Sequence, residues 1–147
     1  MLKNIYWLTG QPGVGKTTIA KAMIDRNKSW INVDGDVLRE NFNNQDYSEN
    51  GRYVNIKLAQ TIAEFLYLND RTVVVSLVSP YRELREDFKK KLQGSLVEIY
   101  VHTTEDRGKN EFQVENYEEP LENFIDLDTT NKTVEESIEE LSKIIII

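Results

Sequence analysis

Short apolar runs without polar alternation recur along the chain, and residues that favour turns close each run. Such runs are typical of strands buried on both faces of a parallel sheet. The run over 72–78 is rich in β-branched residues, which indicates a central strand that Ser79 and Pro80 end. The pattern predicts five strands: Ile5 to Leu8, Trp30 to Val33, Thr72 to Val78, Leu96 to Val101 and Phe124 to Leu127.

Between these runs, apolar residues return at the spacing of a helix face. A capping box of Thr133 and Glu136 predicts the start of the last helix. In the segment 105–116 the apolar residues follow no helical or strand-like spacing and many residues are charged, so we expect a loop or lid there. Helices are predicted from Lys16 to about Asn27, on a face of Leu58, Ala59, Ile62, Phe65 and Leu66, from Arg82 to Leu92, and on a stripe of Val134, Ile138, Leu141 and Ile145.

The order of strands and helices predicts an α/β fold of right-handed βαβ units. We expect a three-layer sandwich, in which a five-stranded parallel sheet carries helices on both faces. The chain has 147 residues, of which 39% are hydrophobic and 29% charged, so a single domain over 1–147 is expected. The surplus isoleucines Ile144, Ile146 and Ile147 are expected to add to the core, with contact to a partner subunit as the alternative.

Composition limits the chemistry, because the chain has no cysteine and His102 is its only histidine. A disulfide framework, a thiol nucleophile and a zinc site of Cys and His are excluded. A metal must therefore be held by oxygen ligands. No apolar run approaches the roughly 20 residues that span a bilayer, and the run after Met1 is too short for a signal peptide. We expect a cytoplasmic protein that does not bind membranes.

The charge is divided unevenly along the chain. Residues 1–97 contain 14 Lys and Arg against 11 Asp and Glu, a net charge of +3, whereas residues 98–147 contain 4 against 14, a net charge of −10. An acidic half of this kind repels a polyanion, so we expect no binding of duplex nucleic acid.

One glycine-rich segment follows the first predicted strand and precedes the first predicted helix. It matches the phosphate-loop pattern G-x-x-x-x-G-K-[ST] at every fixed position, and a turn without a ligand is the weaker alternative. In this loop Lys16 reaches the β- and γ-phosphates and Thr17 ligates magnesium. The fold expected is therefore of the P-loop NTPase type, with ATP held by Gly10, Gln11, Pro12, Gly13, Val14, Gly15, Lys16, Thr17 and Thr18.

Two carboxylates end the second predicted strand, at Asp34 and Asp36, with Gly35 predicted to allow a sharp turn between them. A hydroxyl acceptor needs such a carboxylate to take its proton or to hold the metal, and Arg39 offers a fork for an anionic group. A helix N-cap at Asp36 with ordinary surface charges is the alternative. Hydrolysis by water is the weaker interpretation, because no guanine-reading motif follows and the strand over 72–78 ends in Ser-Pro rather than in acids.

Together these motifs make the chain resemble the adenylylsulfate kinase family, which uses ATP to phosphorylate the 3′-hydroxyl of adenosine 5′-phosphosulfate. Their order and spacing carry the resemblance. The matching segments are Gly10 to Thr18, Asp34 to Arg39, Tyr47-Ser48-Glu49 with Arg52 and Asn55, Ser76 to Arg82, Tyr117-Glu118 with Pro120, Leu127-Asp128-Thr129, and Val134 to Ser137.

The resemblance implies a role for each matching residue. Asp34 is implied to be the base or a magnesium-shell carboxylate that Asp36 supports. The adenylylsulfate is implied to contact Asp34, Arg39, Arg52, Asn55, Ser79 and Pro80, with Tyr47 stacked on its adenine. Core packing is the alternative for Tyr47. Some relatives carry a phosphoserine at the position of Ser79, for which a hydroxyl that shapes the pocket is the preferred interpretation.

The lid differs from the family, which has a longer segment rich in Lys and Arg. Here Arg107 is the candidate contact to the adenine of ATP, Lys109 the candidate lid cation, and His102 stands where relatives commonly have Asp. A short lid predicts poor exclusion of water and slow chemistry. Alternatives are a kinase for another small hydroxyl acceptor or a polynucleotide 5′ end, and a nucleotide-binding protein with little catalysis. The resemblance also implies a homodimer.

Overall fold

The structure is a computed structural model that describes residues 3–147. Its elements in chain order are β1 Ile5–Thr9, α1 Lys16–Arg26, β2 Ile31–Asp34, α2 Gly35–Asn41, α3 Glu49–Leu68, β3 Val73–Ser76, α4 Arg82–Leu92, β4 Leu96–His102, a 3-10 turn Asn110–Phe112, β5 Phe124–Asp128 and α5 Val134–Ser142. The five strands form one parallel sheet in the order β2-β3-β1-β4-β5, which confirms the predicted α/β class.

The sheet separates two apolar clusters, as expected for a parallel sheet that is covered on both faces. On one face α1 and α5 pack on the sheet through residues such as Met23 and Leu141. On the other face α2, α3 and α4 contribute Leu38, Ala59 and Phe88. The predicted three-layer arrangement is therefore confirmed.

The middle of the sheet belongs to β1 rather than to the β-branched run over 72–78. All five residues of β1 are buried, and the strand pairs with β3 on one side and β4 on the other. The strand β3 is interior, and it is shorter than predicted because regular pairing ends at Ser76. The phosphate-loop segment 10–15 therefore starts from the centre of the sheet.

The segment after β2 forms a helix that the hydrophobic pattern did not predict. Asp34 caps α2, since its Oδ2 accepts hydrogen bonds from the backbone N–H groups of Asp36 (3.1 Å) and Val37 (3.2 Å). Gly35 lies inside this helix rather than in a sharp turn. A Cβ at Gly35 would lie 2.6 Å from Cδ1 of Leu77, so a larger residue would have to displace the side chain that directly follows β3.

Two predictions of buried helix residues need correction. Phe65 of α3 is 65% exposed, because the buried face of that helix instead runs through Asn55, Ile56, Ala59 and Ala63. Val134 is 37% exposed at the first turn of α5, where it precedes the stripe that meets the sheet. The predicted capping box of Thr133 and Glu136 is present.

The isoleucine tail is divided between the core and the surface. Ile145 and Ile147 are partly buried against the cluster under α1 and α5. Ile144 and Ile146 are 62% and 86% exposed, so the expectation of added core is wrong for these two residues. Within residues 3–147, no helix is long and apolar enough to cross a membrane.

Candidate active site

The phosphate loop joins the central strand β1 to helix α1, as the motif predicts. A Cβ at Gly10 would collide with the carbonyl oxygen of Val101, so only glycine fits where the loop leaves the sheet. Gly15 caps α1 with φ 110°, a conformation that residues with a side chain rarely adopt. The loop therefore presents its backbone N–H groups and the N-terminus of α1 to one point, which is the arrangement that binds phosphate.

Lys16 begins α1 and is almost completely buried. Its Nζ donates a hydrogen bond to the backbone carbonyl oxygen of Gln11 at 2.8 Å. Burial lowers the pKa of Lys16 to about 8, although the negative charges of Asp36 and Asp34 act in the opposite direction. Burial therefore destabilises the charged form of the Lys16 amine, and a bound anion would stabilise it.

Asp34 lies at the carboxyl end of β2, facing the start of α1. Its Oδ1 accepts hydrogen bonds from Thr17 Oγ1 at 3.1 Å and from Ser76 Oγ at 2.9 Å. The parallel register aligns Asp34 with Ser76, which explains their contact. Asp36 lies at the same edge, and its carboxylate makes no hydrogen bond or ion pair to any residue between 3 and 147.

The donors around Asp34 suit a hard cation, because a carboxylate and a hydroxyl oxygen are what magnesium prefers. In the part of the chain that the structure describes, no group of three or more His, Cys, Asp or Glu side chains could hold a metal alone. Thr17 and Asp34 therefore fit magnesium that arrives with the phosphates of a nucleotide, which supply its other oxygens.

A cavity of about 900 Å³ extends from the phosphate loop to α3 and the lid, residues 105–116. It brings together most residues that the sequence singled out. Gly10, Gln11 and Val14 do not line it. The predicted residues in its lining are Pro12, Gly13, Gly15, Lys16, Thr17, Thr18, Asp34, Asp36, Arg39, Tyr47, Arg52, Asn55, Ser79, Pro80, Arg107 and Lys109.

The same cavity contains residues that sequence reasoning missed. Ser76 and Leu77 come from the carboxyl end of β3, where ligands of parallel sheets gather, so their position beside Asp34 could have been inferred. Glu111, Phe112, Gln113 and Val114 come from the lid, whose irregular sequence gave no sign of where its residues would lie.

The acceptor side contains two arginines in different situations. The guanidinium of Arg39 donates to the backbone oxygens of Asn44 (3.1 Å) and Asp46 (3.0 Å), and it lies 4.0 Å from the ring centroid of Tyr47. Arg52 lines the cavity, and its guanidinium makes no hydrogen bond or ion pair to another residue of the described range. Arg39 thus organises the 44–47 loop, whereas the charge of Arg52 is available to a ligand.

Tyr47 and Asn55 also line this side of the cavity. Tyr47 is 60% exposed, so the alternative of core packing is wrong. Asn55 is buried, with Nδ2 directed at the backbone oxygen of Gly35 and with Oδ1 unpartnered within residues 3–147. A buried amide oxygen without a partner is costly, and a ligand donor in the cavity would satisfy it.

Ser79 is 1% exposed and has a positive φ of 40°. Its Oγ accepts from Trp7 Nε1 at 2.9 Å and donates to Thr9 Oγ1 at 3.1 Å. Thr9 in turn lies 2.7 Å from the hydroxyl of Tyr117, and burial raises the pKa of Tyr117 to about 12. This arrangement favours a structural hydroxyl that shapes the cavity wall over a phosphorylated serine.

A buried network of charged side chains contacts the backbone of Ser79 and stabilises this wall of the cavity. Glu98 of β4 accepts from Arg85 Nε and from Lys89 Nζ, both at 2.7 Å, and Arg85 also donates to the backbone oxygen of Ser79. A buried carboxylate with two cationic partners is costly to disrupt. The composition of α4 suggested only a charged helix, so sequence reasoning missed this network.

Arg107 links the lid to the phosphate loop. Its guanidinium donates to the backbone oxygens of Val14 (3.1 Å) and Thr129 (2.9 Å) and pairs with Glu105. Arg107 also lines a second, smaller cavity of about 230 Å³ beside the phosphate loop. Tyr100 and His102 lie in the same cavity with their rings stacked 4.8 Å apart.

The fold and this site together define a nucleotide-binding protein of the P-loop class. A phosphate loop follows the central strand, and a carboxylate at the end of β2 faces it. The sequence profile of the family described as adenylylsulphate kinase matches residues 3–126, and the chain belongs to that family. The resemblance inferred from the sequence motifs is confirmed.

Individual relatives agree with this assignment. The adenylyl-sulfate kinase of Picosynechococcus sp. is 38% identical over 101 residues, which cover 65% of this chain and 56% of that protein, so the match spans little more than half of the relative. The adenylyl-sulfate kinase of Staphylococcus carnosus is 29% identical over 161 residues, covering 93% and 81%. The APS kinase of Mycobacterium tuberculosis in complex with AMPPNP and APS has the same fold, with a TM-score of 0.79 at 20% identity over 96% of each chain.

Proposed function

We propose that this protein is an ATP-dependent kinase that phosphorylates the 3′-hydroxyl of adenosine 5′-phosphosulfate, in the cytoplasm and within sulfate assimilation. One observation carries the proposal: the Lys16 end of the phosphate loop and an acceptor side with Asp36, Arg52 and exposed aromatic rings line a single cavity. Membership of the adenylylsulphate kinase family supports the choice of acceptor.

In the proposed reaction, the acceptor oxygen attacks the γ-phosphorus while the bond to the β,γ-bridging oxygen breaks, which yields ADP. Phosphoryl transfer depends on positioning and on neutralising charge, so Lys16 and the phosphate-loop N–H groups act on the phosphate oxygens. Magnesium held by Thr17 and Asp34 would supply further positive charge at the β- and γ-phosphates.

The two carboxylates take different parts in this proposal. Both oxygens of Asp34 already accept hydrogen bonds, from Thr17, from Ser76 and from the start of α2. Asp36 has no such partner, so its carboxylate is free to accept the proton of the acceptor hydroxyl. We assign Asp36 as the base and Asp34 as the residue that orients Thr17 and the metal.

The acceptor side has the chemistry for an anionic nucleotide. Arg52 offers an unengaged cation for the phosphosulfate, and the unpartnered Oδ1 of Asn55 can accept a hydrogen bond. Tyr47 and Phe112 are 60% and 56% exposed and both line the cavity. Aromatic rings of this kind are surfaces on which a nucleobase stacks. The smaller cavity beside Arg107 is the proposed place for the nucleoside of ATP.

The test is a product assay with purified protein, Mg-ATP and adenylylsulfate, followed by chromatographic separation of the nucleotides. We expect 3′-phosphoadenylylsulfate and ADP in equal amounts, and neither product when one substrate is omitted. ADP formed without adenylylsulfate would indicate hydrolysis. ATP binding without any transfer would contradict the proposal and favour a nucleotide-binding role.

A second candidate is a P-loop kinase for another small hydroxyl acceptor or a polynucleotide 5′ end. The engagement of Arg39 Nη1 with its own loop favours it, because Arg39 then has fewer N–H groups left for an anion than Arg52 has. A panel of hydroxyl acceptors at equal concentration separates the two candidates. The predicted homodimer and the slow chemistry of a short lid stay predictions.

A further inference from the structure

The lid has little regular structure, since its own ordered element is the 3-10 turn Asn110–Phe112. Nevertheless, Val114 near its end is buried, with 9% exposure. A buried backbone N–H or C=O group needs a hydrogen-bond partner, and a loop has no ladder of neighbours to supply one. The partner of Val114 must therefore come from elsewhere in the fold.

That partner is the side chain of Gln11 in the phosphate loop. Val114 N donates to Gln11 Oε1 at 2.8 Å, and Gln11 Nε2 donates to the backbone oxygen of Val114, also at 2.8 Å. A carboxamide carries one acceptor oxygen and two donor protons side by side, so it can satisfy both backbone groups at once. The backbone oxygen of Gln11 meanwhile accepts from Lys16. Gln11 is thus bonded to the lid and to Lys16 simultaneously.

We propose that Gln11 is a positioning residue that holds the lid on the phosphate loop and thereby places the lid wall of the acceptor cavity. The segment that it anchors contains Phe112 and Val114, which line the cavity together with Arg52 and Asp36. The effect on acceptor binding rests on the proposed function, whereas the contact between Gln11 and the lid does not.

Arg107 joins an earlier part of the lid to the loop, since its guanidinium donates to the backbone oxygen of Val14 at 3.1 Å. Closer to Val114, the other contacts between lid and loop are weaker than the pair of bonds made by Gln11. Gln113 Nε2 donates to the backbone oxygen of Pro12 at 3.1 Å, a single bond at an exposed residue. The side chain of Lys109 lies against Gly13, where a Cβ would come within 2.8 Å of Lys109 Cγ. Neither contact satisfies both backbone groups of a buried lid residue. Loss of the Gln11 side chain should therefore release the lid more than loss of any one of them.

The first test measures amide hydrogen exchange at Val114 without substrates. Gln11→Met keeps the length of the side chain and the backbone carbonyl that Lys16 uses, but it removes both bonds to Val114. We expect exchange at Val114 to become about tenfold faster or more. Gln11→Glu, which can still accept from the Val114 N–H, should show a smaller increase. Glu115→Gln, at an exposed lid residue, is the matched control and should show none.

Unchanged protection of Val114 in Gln11→Met would overturn the proposal, and so would an equal loss in Glu115→Gln. Circular dichroism melts check that each variant is folded. If Gln11→Met does not fold, Gln11→Glu against Glu115→Gln provides the same comparison, and equal exchange in these two variants would again overturn it.

The second test separates binding from chemistry in the same variants. We expect Gln11→Met to raise the KM for adenylylsulfate about tenfold and Glu115→Gln to leave it unchanged. Faster exchange with an unchanged acceptor KM would overturn the role in acceptor binding. If the wild-type protein gives no product, the proposed function fails, and the exchange experiment still decides whether Gln11 holds the lid.

Discussion

The phosphate side of the cavity is one continuous stretch, 10–18, whereas the acceptor side is assembled from α2, α3, the end of β3 and the lid. Phosphate is recognised largely by backbone N–H groups and by one lysine, so a short motif can encode its site. The acceptor is recognised by side chains that only the packing of separate elements brings together. The phosphate side can therefore be inferred locally, and the acceptor side depends on tertiary structure.

This difference extends to the two arginines of the acceptor side. Arg39 follows the acidic motif closely in sequence, yet its guanidinium is bound to the 44–47 loop. Arg52 lies farther along the chain on α3, and its charge remains available in the cavity. Proximity to a motif in sequence is thus a poor guide to which side chain is left without protein partners.

The largest expected effect belongs to the phosphate side. Lys16→Ala removes the cation that acts on the transferring phosphoryl group, so we expect kcat to fall roughly a thousandfold or more. The melting curve should stay close to that of the wild type, because the substitution also removes a buried charge. Single-turnover assays measure the rate. Retention of most activity in this variant would contradict the role of Lys16.

The carboxylates should give the next largest effect and should differ from each other. Asp36→Asn removes the proposed base, so kcat should fall about a hundredfold or more while the KM for ATP changes little. Asp34→Asn keeps a good N-cap for α2 but loses charge beside Thr17, so the KM for ATP should rise. Steady-state kinetics of both variants separate these effects. The reverse pattern would exchange the two assigned roles.

The arginines should show a smaller effect that is confined to the acceptor side. Arg52→Ala should raise the KM for adenylylsulfate about tenfold to a hundredfold, the loss expected for a hydrogen bond to a charged group. Arg39→Ala should act mainly on local order, seen as faster amide exchange over 44–47. Measuring the acceptor KM and the amide exchange over 44–47 in both variants tests whether the two arginines differ in this way. An unchanged acceptor KM in Arg52→Ala would remove this residue from the site.

The smallest expected effect is a pH dependence of ATP binding that acceptor binding does not share. The pKa of Lys16 is lowered to about 8, and the triphosphate binds its protonated form. ATP affinity should be level below pH 8 and should weaken by up to about tenfold per unit as pH rises above it. Acceptor binding should stay level over the same range, because arginine side chains keep their charge. Titration calorimetry from pH 7 to 9 measures both.

Lys16→Arg is the matched control for this experiment, since a guanidinium stays charged throughout the range. The pH dependence of ATP binding should disappear in this variant. An equal loss of ATP affinity in both proteins above pH 8 would place the titrating group elsewhere.

The sequence by itself determined the α/β class, the five strands and the phosphate loop, because hydrophobic periodicity and a contiguous motif are local properties. It also determined the family, because the order and spacing of the motifs can be recognised without knowing which residues are in contact. Asp34 was recognisable because parallel strands collect ligands at their carboxyl ends.

Only the tertiary structure decided which faces of the helices are buried and which acceptor-side groups are free. Phe65 has the spacing of a core residue and lies exposed, and Arg39 has the chemistry of an anion site and binds its own loop. The lid shows the limit most clearly. Val114 lies 103 residues from Gln11 in the chain, so no local pattern predicts their pairing. Such contacts are created by packing, which the linear spacing of residues does not encode.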